Sequence, residues 1–309
     1  MKTLPQHLDD YLAHARTANQ SKVHLRGLGF CIRRLLRWLE EAYAITTAER
    51  LTPQHLEAWV KHYANGSTRR GLPRKPTSIS KQFQCDRVFL QWLGKTGVLP
   101  QRMYEFIPKV KLPYRLPTGV LTHRQMEKFL GQVDTATTGG WQFRAMLEFL
   151  YTSGVRADEL LGLNTTSVDL TNCTARVLGK GAKERVVPFG ETARRHLEIY
   201  LRSIRPLLLR ATGEPALWLN RAGERMPYFT FRRQLAELSA RARLPVEVTA
   251  HTFRRSFTTE LIRGGANIYH VKELLGHESL ETLKPYTKLT IVDLKKTHSR
   301  CHPREHDRS

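Results

Sequence analysis

Pro108, Pro113 and Pro117 fall inside residues 107–119, IPKVKLPYRLPTG. No single helix or sheet ladder runs through such a segment. Proline donates no backbone N–H, and its ring clashes with the turn before it. Lys109, Lys111 and Arg115 keep the stretch solvated. It reads as an extended linker that forces the chain into two folding units, and 309 residues against roughly 150 per domain favours the same division. The boundaries expected are 1–106, a linker at 107–119, a second domain at 120–300 and a tail at 301–309.

The two parts differ in pattern. Leu25, Leu28, Ile32, Leu35, Leu36 and Leu39 recur at spacings of three and four, which draws one apolar stripe along a helix. Leu56, Trp59, Val60 and Tyr63 repeat the pattern, and Ile79, Phe83, Val88, Leu90 and Leu93 do so less regularly. A basic Gly/Pro-rich loop, NGSTRRGLPRKPTS at 65–78, separates the last two. No strand signal occurs, so the first part reads as a small all-α bundle. Past the linker the pattern is mixed. Phe143, Met146, Leu147 and Leu150 mark a helix that Gly154 ends. A second helix starts near Arg156, with Asp158 and Glu159 in its first turn. Residues 174–188 predict two short strands around Gly179-Lys180-Gly181. Leu197, Tyr200, Leu201 and Ile204 predict another helix, followed by one ending at Gly264-Gly265 and one ending at Gly276. The fold class expected is therefore mainly α, of α+β type, with a small antiparallel sheet in the second domain.

Charge narrows the partner. There are 50 Lys+Arg against 28 Asp+Glu, a formal net charge of +22. That points to a polyanion rather than to a small neutral substrate. The excess is shared, with 20 basic and 8 acidic residues in 1–118 and 30 and 20 in 119–309, unlike a basic tail on a neutral body. No apolar run approaches the ~18 residues of a membrane span. MKTLPQHLDDYLAHA has no apolar core of a signal peptide. Cys31, Cys85, Cys173 and Cys301 form no C-x-x-C pair, so neither a disulfide framework nor a zinc ribbon is expected, and a reducing cytoplasmic compartment fits. His298, Cys301, His302 and His306 cluster in the tail without a standard metal-ligand spacing, and a solvated tail is expected there. Neither G-x-x-x-x-G-K-S/T nor H-E-x-x-H occurs.

Several residues remain that could do chemistry. His251 and Arg254, at i and i+3 on a helix, share one face, though a helix-start histidine and a surface arginine would look the same. His277 follows a glycine stop, as a capping residue would. Tyr286 follows a proline, and most tyrosines are half-buried packing residues. Arg156 at a helix start opposes the dipole, a misfit that an anion would relieve. Lys180 sits between glycines at a hairpin tip, where a solubilising turn lysine is usual. Lys183 and Arg185 read as further exposed turn cations.

In chain order, however, Arg156, Lys180, His251-x-x-Arg254, His277 and Tyr286 form a set. From about Leu121 onward the chain resembles the catalytic domain of the tyrosine recombinase (phage integrase) family, most closely its Xer-like members. The likeness rests on TSGVRADELLGL, LGKGAKERVVPFG and HTFRRSFTTELIRGGANIYHVKELLGHESLETLKPYTKL. The family's first arginine matches Arg156 and its acidic helper Glu159. The hairpin lysine matches Lys180, 24 positions after Arg156, and the tyrosine matches Tyr286, 9 positions after His277. Residues 1–106 resemble the family's helical core-binding (SAM-like) domain in size and helix pattern. Two departures stand out. Arg255 replaces a histidine frequent in the family, and Leu283 and Lys288 replace the outer residues of T-x-x-Y-T-H.

The resemblance implies a site-specific recombinase or integrase, of the kind mobile elements use. It would cut and rejoin double-stranded DNA through a covalent 3′-phosphotyrosine, with no metal, ATP or other cofactor. Arg156, Lys180, His251, Arg254, His277 and the nucleophile Tyr286 would be catalytic, with Glu159 supporting. It further implies a clamp whose two domains contact phosphates, DNA contacts from Arg69, Arg70, Arg74, Lys75, Lys81 and Arg87, and a synaptic tetramer of this chain or with a related recombinase. No membrane partner is implied, and the location is cytoplasmic, at the nucleoid when DNA-bound. Two other readings keep the same fold: a type IB topoisomerase-like enzyme acting as a monomer, and a catalytically silent DNA-binding protein.

Overall fold

Thr3 and Gln6 exchange hydrogen bonds, Gln6 N–H to Thr3 Oγ1 at 3.4 Å and Thr3 N–H to Gln6 Oε1 at 2.8 Å. This capping box satisfies two of the donors that a helix start leaves unpaired, and it opens α1 (Leu4–Thr17). The computed structural model describes residues 2–18, 20, 22–68, 71–112, 119–179, 183–276, 279 and 283, with backbone only at 22 and 23. They group into two compact units, Met1–Tyr114 and Arg115–Ser309.

The first unit is helical. It comprises α1, α2 (Lys22–Tyr43), α3 (Pro53–Asn65) and α4 (Pro76–Lys95). Proline at the first position of α3 and α4 costs no hydrogen bond there. The predicted stripe on α2 is the buried one: Leu28, Ile32, Leu35 and Leu39 pack with Leu8, Trp59 and Leu93 in a single core. Inside that core lies a polar knot. Asp86, fully buried, accepts hydrogen bonds from Trp59 Nε1 at 2.9 Å and Gln82 Nε2 at 2.9 Å, and Gln82 Oε1 accepts from Arg34 at 3.2 Å. Ile107 is buried in the same core and Val110 packs on it, so the first residues of the proline-rich segment are tied to the helices before them.

The second unit is built on α6 (Thr138–Ser153), which is buried along most of its length. Gln142, a polar residue in that helix, is satisfied by Tyr200 Oη at 2.7 Å and by both backbone groups of Leu219 at 2.8 Å. Around it lie α5 (His123–Leu130), α7 (Ala157–Gly162), α8 (Glu191–Ile199), α9 (Arg205–Leu208), α10 (Tyr228–Ala242), α11 (Ala250–Arg263) and α12 (Ile268–Leu275). The helix expected around Leu197–Ile204 is present but interrupted. After α8 it widens into a π turn at Tyr200–Ile204 and ends soon after Pro206, which donates no N–H to the turn before it.

The expected hairpin forms as β2 (Thr174–Leu178) and β3 (Glu184–Pro188), and a two-residue strand that the sequence does not signal, β1 (Val168–Asp169), extends it. All three are antiparallel in the order β1-β2-β3. The register sets Ala175 opposite Val187, and Val177 opposite Arg185. Successive strand residues alternate faces, so Arg185 shares a face with buried Val187.

Candidate active site

The site begins where α6 ends. Gly154 takes a left-handed conformation, φ 64° and ψ 18°, and its N–H closes on Leu150 O. Two residues later Arg156 adopts extended backbone, φ −78° and ψ 158°, as the N-cap of α7. It thus stands just outside the first turn, and the Glu159 side chain reaches back to its N–H and its guanidinium. Arg156 N–H donates to Glu159 Oε2 at 2.8 Å, and Nη1 donates to Oε1 at 2.9 Å. The dipole misfit expected of a cation there is answered by this carboxylate.

Glu159 is buried, with 3% of its side chain exposed. Burial alone would raise its pKa. The hydrogen bonds from Arg185 and from Arg156 N–H, with both positive charges, outweigh that and hold the carboxyl at about 2. Arg185 is the residue that sequence reasoning misjudged. It is not an exposed turn cation: only 16% of its side chain is accessible. Its Nη1 and Nη2 donate to Glu159 Oε1 and Oε2 at 2.8 and 2.9 Å, and its Nε donates to Leu274 O at 3.2 Å. The pleat turns it inward. The available signal was its period-two relation to Val187.

Thr249 caps α11, accepting from Thr252 N–H. His251 and Arg254 follow on that helix with different exposure. His251 is exposed, whereas Arg254 is buried and reaches two carbonyls, Gly154 O at 2.8 Å and Leu275 O at 2.6 Å. The first lies two residues before Arg156 and the second at the end of α12, so Arg254 ties together the elements that carry the predicted site. Desolvation by the neighbouring groups, then the charges of Arg255, Arg254 and Arg156, hold the His251 pKa below its ordinary value, with Asp158 opposing them. The imidazole is therefore biased toward its neutral, proton-accepting form. Gly276 ends α12 at φ 61° and ψ 48°. Lys180, His277 and Tyr286 lie outside the described residues, as do the tail histidines and Cys301. Among the described residues no group of three or more His, Cys, Asp or Glu could hold a metal ion, and no helix is long and apolar enough to cross a membrane.

Comparison with known proteins gives the family. The phage integrase family pattern matches residues 119–291. The chain is 32% identical to tyrosine recombinase XerC of Mycobacterium sp. (strain JLS), over 98% of this chain and 100% of that protein. It is 32% identical to tyrosine recombinase XerD of Chlorobaculum tepidum, over 98% and 97%. This chain belongs to the phage integrase family of tyrosine recombinases. Among solved structures, the Tn1549 transposon integrase in complex with a circular intermediate DNA superposes with a TM-score of 0.74 at 17% identity, covering 97% of this chain and 100% of that one. XerH bound to its difH substrate does so with a TM-score of 0.71 at 21% identity, covering 96% and 83%. Both share the fold.

As a family member the chain is a site-specific DNA recombinase. Among the described residues the candidate site groups Arg156, Glu159, His251 and Arg254 with Arg185. The recombinase's first unit carries the residues expected to meet DNA, and they differ in what they already hold. Arg74 stacks over the Tyr63 ring at 4.3 Å and donates to Tyr63 O at 3.0 Å. Arg87 donates to Tyr104 O and Ile107 O. Lys75, the N-cap of α4, and Lys81 are exposed. Arg69 and Arg70 lie outside the described residues.

Proposed function

We propose that this recombinase cuts one DNA strand at a time by attack of Tyr286 on a phosphodiester, leaving a 3′-phosphotyrosyl bond and a free 5′ hydroxyl, and then reverses the step on a partner strand. The observation that carries the reading is the joining of α11 to the α6–α7 turn through Arg254. That contact puts two guanidiniums, from Arg156 and Arg254, and the His251 ring in one place. A phosphodiester is an anion that repels nucleophiles, and its transition state gathers charge on the non-bridging oxygens. Two forked donors suit those oxygens, and loss of one such donor costs ~10²–10³ in rate.

Each remaining group has a task that its chemistry allows. A phenol with an ordinary pKa of ~10 needs a base nearby, and a neutral His251 can take its proton. Lys180 protonates the leaving 5′ oxygen as general acid, and His277 donates to the phosphate. Glu159 steadies Arg156. The phosphotyrosine conserves the energy of the broken bond, so the cycle needs no nucleotide cofactor. The first unit acts as the core-binding domain and, with the second, contacts duplex phosphates. Exchange between two duplexes takes four active subunits, supplied by this chain alone or with a related recombinase, as the XerC and XerD names of its relatives suit. The direct test is Tyr286→Phe on a nicked suicide duplex. The variant binds as the wild type does and forms no covalent adduct; an adduct of undiminished yield assigns the nucleophile elsewhere.

A further inference from the structure

Arg185 lies on the core-facing side of β3, and a guanidinium there has to be paired, because a buried unpaired charge is strongly destabilising. Its partners all belong to the site. Nη1 and Nη2 grip Glu159 at 2.8 and 2.9 Å, and Nε holds Leu274 O at 3.2 Å. Two glycines close over it. A Cβ on Gly179 would stand 3.4 Å from its Nη1 and 3.7 Å from Glu159 Oε1, and a Cβ on Gly276 would stand 3.1 Å from its Cζ, Nε and Nη1. The places where these contacts fall are telling. Gly179 precedes Lys180, Gly276 precedes His277, and Glu159 is bonded to Arg156.

We propose that Arg185 is a positioning residue for DNA cleavage: one guanidinium holds Glu159 against Arg156 and fixes the backbone from which Lys180 and His277 depart. The proposal rests on the cleavage chemistry given above. Arg185 acts through its neighbours, the Glu159 carboxylate and the Leu274 carbonyl. Lysine cannot substitute, because a single ammonium does not reproduce a planar fork that meets both carboxylate oxygens and a carbonyl at once. Misplacing a reacting group by about 1 Å costs on the order of 10²-fold in rate, so the effect belongs in the chemical step rather than in DNA affinity.

The test compares Arg185→Lys and Arg185→Gln with the wild-type chain on a nicked duplex selected from a randomised pool by covalent capture with the wild type. Adduct formation is followed in single turnover at saturating protein, so that the rate is read per bound complex, beside DNA affinity and melting temperature. The expected result is wild-type affinity with a rate roughly 10–10²-fold lower in both variants. The loss is smaller in a Glu159→Gln background, because the two residues act through a shared contact. A wild-type rate per bound complex in either variant overturns the role, and so does a lower melting temperature with the rate per bound complex intact. Failure of the wild type to capture any duplex would instead overturn the cleavage chemistry on which the role depends.

Discussion

Two buried carboxylates in this chain hold their protons in opposite ways, and their partners explain why. Among the described residues, the hydrogen bonds to Asp86 come from neutral groups, the Trp59 indole and the Gln82 amide. Burial therefore dominates and pushes its pKa up to about 8. Glu159 is also buried, but it is gripped by Arg185 and Arg156 and stays at about 2. The signs follow from linkage. Glu159 binds its proton more weakly folded than unfolded, so its contribution to stability is present above the unfolded pKa and is lost as pH falls toward about 2. Asp86 binds its proton more tightly when folded. Its ionisation opposes folding, and stability declines as pH rises from about 4 toward about 8. Asp86→Asn removes the titration and sets an amide NH₂ against one of the two donors. The wild-type advantage over this variant should shrink as pH rises through that window, by up to about 1.4 kcal/mol per pH unit. Hydrogen exchange of the α4 amides at pH 5 and pH 8 reads it in the right unit. An advantage that stays constant from pH 5 to pH 8 would mean that Asp86 is ionised in the native state. The sequence carried a trace of this residue, since Asp86 interrupts the stripe of Phe83, Leu90 and Leu93 on α4. What it could not show is that Gln82 and Trp59 close the knot from two helices.

At the scale of elements, the decisive device is the abrupt end of α6. Gly154 needs a left-handed backbone, and a Cβ there would overlap the Phe257 ring of α11. Its carbonyl also receives Arg254. Gly154→Ala should therefore do two things. The strained backbone costs about 1–2 kcal/mol and the overpacking about 1–3 kcal/mol, and in a unit of this size each kcal/mol lowers the melting temperature by about 2–4 °C. The shift of α11 away from the turn should also slow adduct formation, because Arg254 moves with it. Gly162→Ala is the control, since beyond its own helix and chain neighbours no atom lies within 4 Å of a Cβ there, and it should leave adduct formation unchanged without lowering the melting temperature. If the two alanine variants melt together, the close approach at Gly154 is not a constraint. Glycine stops at 154, 264 and 276 were legible because each interrupts an apolar periodicity. So was the hairpin, from its β-branched residues and central glycines. α1, α5 and α10 were not read, and β1 is too short to leave a pattern. Arg185 was missed because a lone arginine in a five-residue strand has no periodicity of its own; only the side that Val187 takes discloses its direction.

At the scale of the whole molecule the +22 charge is shared by both units, so DNA affinity should depend steeply on salt. If 6–10 phosphates are neutralised, affinity falls by ~10³–10⁵ between 50 and 200 mM salt. The structure separates cations that already hold the fold together from cations that face solvent. Arg74 and Arg87 are engaged by Tyr63 O and by the Tyr104 and Ile107 carbonyls, while Lys75 and Lys81 are exposed at the start of α4. Alanine at a lysine that touches one phosphate lowers the magnitude of the log–log salt slope by about 1. The double variant Lys75→Ala/Lys81→Ala should thus lower it by about 2 with an unchanged melting temperature. Arg87→Ala should act in the other order, lowering the melting temperature first, because it frees two carbonyls that hold the chain after Tyr104. Titrating labelled duplex at four salt concentrations with each variant decides the matter. An unchanged slope in the lysine double variant would move the phosphate contacts off this end of α4, and the first unit's excess charge would then have to meet DNA elsewhere.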